Sequence, residues 1–287
     1  MSYAQILVVL SGAPDDESTV RIAASLAKQH GAVARVLVAS PRVNPAVWSE
    51  LGNGLYYSQE VRDAIAAGEA EMQRKSEALV RQAAAAGGLA FGPGEDGCRF
   101  VMTTSEATLW LGLRKELPLI DLVIVGQSSV REDGPFAGVL DSALMDGRAP
   151  LLVVRGGGPI DRRPAAVAWD GSIEAGRAVR AAAPLLQLAD SVVILQDPER
   201  LDDSERGHAA PEALSAYFKL RGIGPVTNKP VMSTGPGEGL KQVATDMGAA
   251  VLVAGAFGHP RLLETVFGGA TQALLADEQG PHLFIAH

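Results

Sequence analysis

The chain writes nearly the same pattern twice, and an internal repeat constrains a fold more than any single motif does. Residues 5–11 (Gln-Ile-Leu-Val-Val-Leu-Ser) and 165–170 (Ala-Ala-Val-Ala-Trp-Asp) are apolar runs. Each leads to a glycine, Gly12 or Gly171, and then to an Ala-rich helical stretch. Residues 120–126 (Ile-Asp-Leu-Val-Ile-Val-Gly) are echoed by 249–255 (Ala-Ala-Val-Leu-Val-Ala-Gly). Each copy closes on a short apolar strand behind a proline, 151–155 after Pro150 and 282–287 after Pro281. The repeat is too long for a solenoid unit, so each copy is expected to be a domain, 1–155 and 160–287. Gly156-Gly157-Gly158-Pro159 (156–159) is the expected linker, because such a run suits neither flanking element.

Composition fits this division. A chain of 287 residues, 47% hydrophobic, can bury a core in each half. The net charge of −8 splits evenly, so neither half is a basic arm and a nucleic-acid partner is not expected. The single Cys98 excludes a disulfide framework, and five scattered His without paired spacing argue against a metal site. No apolar run reaches membrane-spanning length and no basic residue precedes Ile6–Leu10, so a soluble cytoplasmic protein is expected.

Periodicity places alternating elements along each half. In the first half, strands are expected at 5–10, 34–39, 99–103, 120–126 and 151–155. Helices are expected at 17–30, 58–86, 105–117 and 138–146. In the second, strands are expected at 165–169, 191–196, 229–233, 250–254 and 282–286, with helices at 173–188, 211–220, 237–247 and 269–278. Continuous apolar strands alternating with helices predict an α/β fold of two tandem Rossmann-like domains, each a five-stranded parallel doubly wound sheet. Ligands of such sheets bind beyond the carboxyl ends of the strands where strand order reverses. Strands one and four of each half are expected to flank that crevice.

One constellation there carries chemistry. Strand four of the second half ends Gly255-Ala256-Phe257-Gly258. Nine residues later Gly268-Gly269-Ala270-Thr271 opens a helix. Small residues let main-chain N–H groups approach an anion, and a helix N-terminus adds unpaired donors. Asp170, ending strand one, can accept bonds from a ribose hydroxyl or an adenine amine, or can simply cap the helix that follows. Trp169 is read as a core residue that can wall the crevice. A Gly-rich stretch at 235–239 lacks P-loop spacing.

The spacing Gly255-x2-Gly258-x9-Gly268 resembles the nucleotide loop of the universal stress protein family, G-x2-G-x9-G-[ST], and Asp170-Gly171-Ser172 resembles that family's strand-one Asp motif. The resemblance covers essentially the whole chain as a tandem member. It implies an adenine nucleotide alpha hydrolase-like fold and an adenine-nucleotide ligand, ATP or AMP/ADP, with or without Mg²⁺. By this resemblance Asp170, with Gly171 and Ser172, would contact adenine or ribose. The backbone of Leu195 and Gln196 would border the adenine. Gly255, Gly258, Gly268, Gly269, Ala270 and Thr271 would surround ribose and phosphates. Gly269 departs from the pattern, since Ser or Thr is expected there, which removes a phosphate-bonding hydroxyl worth about 1.5–3 kcal/mol.

The first half departs further. Ser11 stands in place of Asp170, and Ser129, Val139 and Leu140 stand in place of the later glycines and hydroxyl. Glu132, Asp133 and Asp141 bring repelling charge. It is expected not to bind nucleotide. The functional expectation is a regulatory stress-response protein with one adenine nucleotide in the second half. The alternatives are a ligand-independent dimeric scaffold and a weak ATPase or autophosphorylating enzyme, for which no catalytic base or Mg²⁺ carboxylate pair is evident. The two halves are expected to pack as an intrachain pseudo-dimer through edges 151–155 and 282–286, with a homodimer of whole chains as a further possibility.

Overall fold

In a computed structural model of the chain, the repeated strand–helix pattern builds one continuous sheet. The structure describes residues 2–39, 59–94, 97–103, 109–130, 147–156, 158–199, 201, 209–232, 237–256, 273–275 and 279–287. In chain order the first half contains β1 (Gln5–Leu10), α1 (Asp16–His30), β2 (Val33–Val38), α2 (Gln59–Gly87), β3 (Ala90–Phe91) and β4 (Arg99–Thr103). It continues with α3 (Leu109–Glu116), β5 (Leu122–Gly126), α4 (Gln127–Val130) and β6 (Leu151–Val154). The second half contains β7 (Pro164–Ala168), α5 (Ile173–Leu186), β8 (Ser191–Gln196), α6 (Pro211–Leu220), β9 (Val226–Pro230), α7 (Glu238–Asp246), β10 (Val251–Gly255) and β11 (His282–Ala286).

The 11-stranded sheet has the order β3-β4-β2-β1-β5-β6-β11-β10-β7-β8-β9. β1 lies between β2 and β5, and β7 between β8 and β10, all parallel. Strand order therefore reverses beside β1 and β7, where the sequence places the two crevices. Successive residues of each strand feed opposite faces. Ile6, Val8 and Leu10 enter one core, with Leu152, Val167, Val253 and Phe284. Leu7 and Val9 enter the other, with Val125, Val153, Leu252 and Leu283. Burial on both faces explains the unbroken apolar runs.

Both cores contain residues from the two halves, because β6 and β11 pair antiparallel with Phe284 opposite Leu152. The edges at 151–155 and 282–286 are thus occupied by each other, and any association of whole chains would use another surface. Polar contacts accompany this joint. Tyr3 donates its hydroxyl to Ala181 O at 2.9 Å. The Arg155 N–H donates to His282 Nδ1 at 3.1 Å. His282 therefore carries its proton on Nε2, which donates to Gly158 O at 3.0 Å. Burial holds His282 below the usual histidine pKa, which keeps Nδ1 an acceptor.

Several boundaries differ from the sequence reading. The strand expected at 229–233 is Val226–Pro230. It is a sheet edge with Thr227–Pro230 exposed, so it lacks the apolar alternation of a half-buried strand. Buried Val231 follows it, next to Met232, which is exposed, and this pair drew the expectation three residues too far. The helix expected at 105–117 is described from Leu109 to Glu116 and continues as a 3₁₀ turn, Leu117–Leu119. β3 and α4 are additional; two and four residues are too short to show a period. The helix expected at 138–146 lies outside the described residues. Of 269–278, residues 273–275 are described, and they are helical. No described helix is long and apolar enough to cross a membrane.

Candidate functional site

Beyond the carboxyl end of β7 the chain turns through Trp169, Asp170, Gly171 and Ser172 into α5. Gly171 has φ +78°, a left-handed conformation that favours glycine. A Cβ on it would lie 2.7 Å from the Cα of Ala209, so the turn also needs a bare Cα there. Asp170 Oδ1 accepts the Ser172 N–H at 2.9 Å, and Ser172 Oγ accepts the Ala175 N–H at 3.1 Å. The residue that caps the helix is therefore Ser172, while Asp170 shapes the turn before it. Among the described residues, the second carboxylate oxygen of Asp170 receives no hydrogen bond.

Gly255, the last residue of β10, faces this turn. A Cβ on Gly255 would lie 2.6 Å from Ala175 N and 2.7 Å from Glu174 C. The first turn of α5 thus rests on the bare Cα of the first glycine of the loop pattern. The structure brings Asp170, Gly171, Ser172 and Gly255 together. Gly258, Gly268, Gly269, Ala270 and Thr271 lie outside the described residues.

Leu195 and Gln196 close β8 beside the turn, but their carbonyls serve the sheet. Leu195 O accepts the Trp169 N–H at 2.9 Å, and Gln196 O accepts the Val231 N–H at 2.7 Å. The Leu195 side chain is fully buried. The Gln196 amide turns inward and donates to Ala209 O at 2.7 Å and Trp169 O at 3.3 Å. Trp169 Nε1 donates to the same Ala209 carbonyl at 3.1 Å. One carbonyl held by two side-chain donors seats Ala209 over Gly171. Gln196, Glu199, Leu201, Ala209 and Pro211 line a groove of about 470 Å³. The sequence reading missed Ala209, because nothing marks an alanine as the roof of a turn 38 residues upstream.

The first half uses the same ground plan with different chemistry. Gly12 has φ +78° and is roofed by a side chain, since a Cβ there would meet Met72 Sδ at 2.9 Å. Asp16 folds back onto the turn, its carboxylate accepting the Ser11 N–H at 3.2 Å and the Gly12 N–H at 2.8 Å. Burial raises the Asp16 pKa to about 6, opposed by those two N–H bonds. Asp15 crosses from the start of α1 to the end of β5. Its Oδ2 accepts the Ser128 N–H at 2.8 Å, and its Cγ lies 2.6 Å from where a Cβ on Gly126 would stand. The Ser129 hydroxyl reaches the Ser11 hydroxyl at 3.3 Å. A carboxylate of the chain itself therefore bridges strands one and four at the first-half switch point. Asp15 escaped the sequence reading because acids at a helix start are ordinary companions of the helix dipole. Val139, Leu140, Glu132, Asp133 and Asp141 lie outside the described residues.

Among the described residues no group of three or more His, Cys, Asp or Glu could hold a metal ion. No protein-family model and no curated protein matches the sequence. Solved structures do match its fold. A universal stress protein from Archaeoglobus fulgidus is 13% identical with a TM-score of 0.66, over 98% of this chain and 97% of that one. A functionally unknown protein from Pseudomonas aeruginosa is 13% identical with a TM-score of 0.55, over 99% and 92%. The cytoplasmic domain of a prokaryotic cation chloride cotransporter is 14% identical with a TM-score of 0.51, over 99% and 95%. The chain has the Rossmann-like α/β fold of the universal stress proteins, matched along nearly its whole length.

Proposed function

We propose that the chain is a regulatory stress-response protein that binds one adenine nucleotide, ATP or AMP/ADP, in its second half. The observation that carries this reading is the contrast at the two switch points. In the first half the crevice is bridged by the Asp15 carboxylate, which already takes the Ser128 N–H. A polyphosphate there would meet like charge at contact distance. In the second half what lies against Gly255 is the backbone of the first turn of α5 and not a carboxylate, and Asp170 takes the Ser172 N–H of its own turn. The loop pattern from Gly255 to Thr271 would supply the N–H donors for the phosphates, and Asp170 would face the ribose or adenine. Leu195 and Gln196 would act through shape and the Gln196 amide, since their carbonyls are engaged in the sheet.

Mass spectrometry of small molecules released by heat from freshly purified protein tests this reading. Adenine nucleotide near one equivalent per chain supports it. No nucleotide, together with no thermal shift in millimolar ATP, contradicts it.

A second reading is a scaffold that works without a ligand. The seat of Ala209 over Gly171, fixed by Trp169 and Gln196, favours it because it fills ground next to the turn. An ATPase would need ADP to accumulate from added ATP and to cease in Asp170→Ala.

A further inference from the structure

The first half has a polar connection into the second half that its own crevice does not require. Gln127 directly follows Gly126 of β5, and its neighbour Ser128 is the residue whose N–H Asp15 holds. The Gln127 side chain points the other way, across the joint. Its Nε2 donates to Leu275 O, and its Oε1 accepts Arg155 Nε at 3.0 Å. Arg155, 1% exposed, donates from its other nitrogens to Leu274 O and to Pro281 O, the latter at 3.3 Å. Its main chain is tied to His282 at 3.1 Å. Two side chains of the first half thus hold the carbonyls of two consecutive helical residues of the second.

The counterparts in the second half are Ala256, after β10, and His287, after β11. There His287 Nδ1 approaches Ala256 O at 3.1 Å. The tie between the residue after strand four and the residue after strand five is thus present in both halves. The glutamine and arginine of the first half add to it a grip on residues 274 and 275. A guanidinium on helix carbonyls is favoured by charge as well as by hydrogen bonding. In a buried site, deleting one member leaves polar groups without partners, which makes the arrangement stiff.

We propose that Gln127 and Arg155 are positioning residues for the second-half site. The first half, its own crevice bridged by Asp15, anchors the helical segment at 273–275 that follows the Gly268–Thr271 pattern, and so sets nucleotide affinity. The proposal rests on the nucleotide reading above for its ligand, but not for the anchoring itself.

Hydrogen exchange by mass spectrometry on ligand-free protein, followed by calorimetric titration with ATP, tests it. Gln127→Met keeps the bulk and loses both bonds. Arg155→Lys keeps the charge and loses the fork. Val80→Ala, on the buried face of α2, is a control that lowers stability without touching the joint. Gln127→Met is expected to speed exchange across residues 273–275 by about tenfold and to weaken ATP binding by about tenfold, as for loss of one bond in a charged network. Arg155→Lys is expected to fall between wild type and Gln127→Met, and Val80→Ala to leave both readouts at wild type. Unchanged exchange at 273–275 in folded Gln127→Met, or in Arg155→Lys if the former does not fold, overturns the anchoring. Faster exchange with unchanged ATP affinity overturns the link to the site. Wild-type protein that binds no ATP overturns the nucleotide reading alone, because the exchange comparison is made without ligand.

Discussion

The two strand-one turns share a backbone and differ in what fills them. Gly12 and Gly171 have the same φ of +78°, and each opens onto a helix whose first turn approaches a glycine at the end of strand four. In the first half the fillers are side chains: Met72 over Gly12, and Asp15 over Gly126. In the second half they are backbone: Ala209 over Gly171, and the first turn of α5 over Gly255. Side chains can rotate away and backbone cannot, so the second turn is the more rigidly specified. The first holds an internal carboxylate against its strand-four glycine where the second holds backbone. A repeated fold can thus keep its backbone geometry while its two copies fill it with different groups.

Substitutions at paired positions probe this difference. The largest effect is expected at the turn glycines. Gly171→Ala should cost about 2–4 kcal/mol in urea unfolding, combining a strained positive φ with backbone overlap. Gly12→Ala should cost about half as much, because the Met72 thioether can yield. Equal losses would mean that the two roofs are equally stiff. The strand-four glycines come next. Gly255→Ala should cost about 2 kcal/mol and Gly126→Ala about 1 kcal/mol or less, since the Asp15 carboxylate can swing aside. A reversed order would contradict the assignment of backbone to one crevice and side chain to the other.

An effect comparable to those at the strand-four glycines is a pH dependence confined to the first half. The Asp16 pKa is raised in the fold, from 3.8 to about 6, by burial. A raised carboxyl pKa means that the folded state holds the proton more tightly than the unfolded chain does. The associated stability is complete below pH 3.8 and is lost as pH rises through about 6. Relative to Asp16→Asn, the wild type should therefore lose on the order of 1–2 kcal/mol between pH 4 and pH 7, with solvent at this turn reducing the full effect. A difference that stays flat over that range would show that Asp16 is not desolvated.

Much of the fold is legible in the residues. Leu7 and Val9 alternate with Ile6 and Val8 without a polar interruption, which announces a strand covered on both faces. The repeat then places the reversal of strand order beside β1 and β7. β9 was displaced because an edge strand buries too little to leave an apolar pattern, and Pro230 ends it. The turn was legible where its requirement is local, as at Gly171 with its positive φ; the cap expected at Asp170 falls two residues later, on Ser172. The site was not legible where the partner is remote. Nothing near Ala209 says that its carbonyl will take Trp169 and Gln196. Gln127 reads as a polar residue after a strand until the antiparallel joint brings Leu275 to it. Asp15 looks like an ordinary helix-start acid until Gly126 arrives opposite.

Calorimetric titration of the whole chain with ATP addresses the central claim most directly, with Asp170→Ala and Ser11→Ala in parallel. The account requires one ATP per chain, binding weakened about tenfold or more by Asp170→Ala, as for loss of a hydrogen bond to a charged group, and unaltered by Ser11→Ala. Two sites per chain, or one site that Ser11→Ala disturbs and Asp170→Ala does not, would contradict the division of labour between the two crevices.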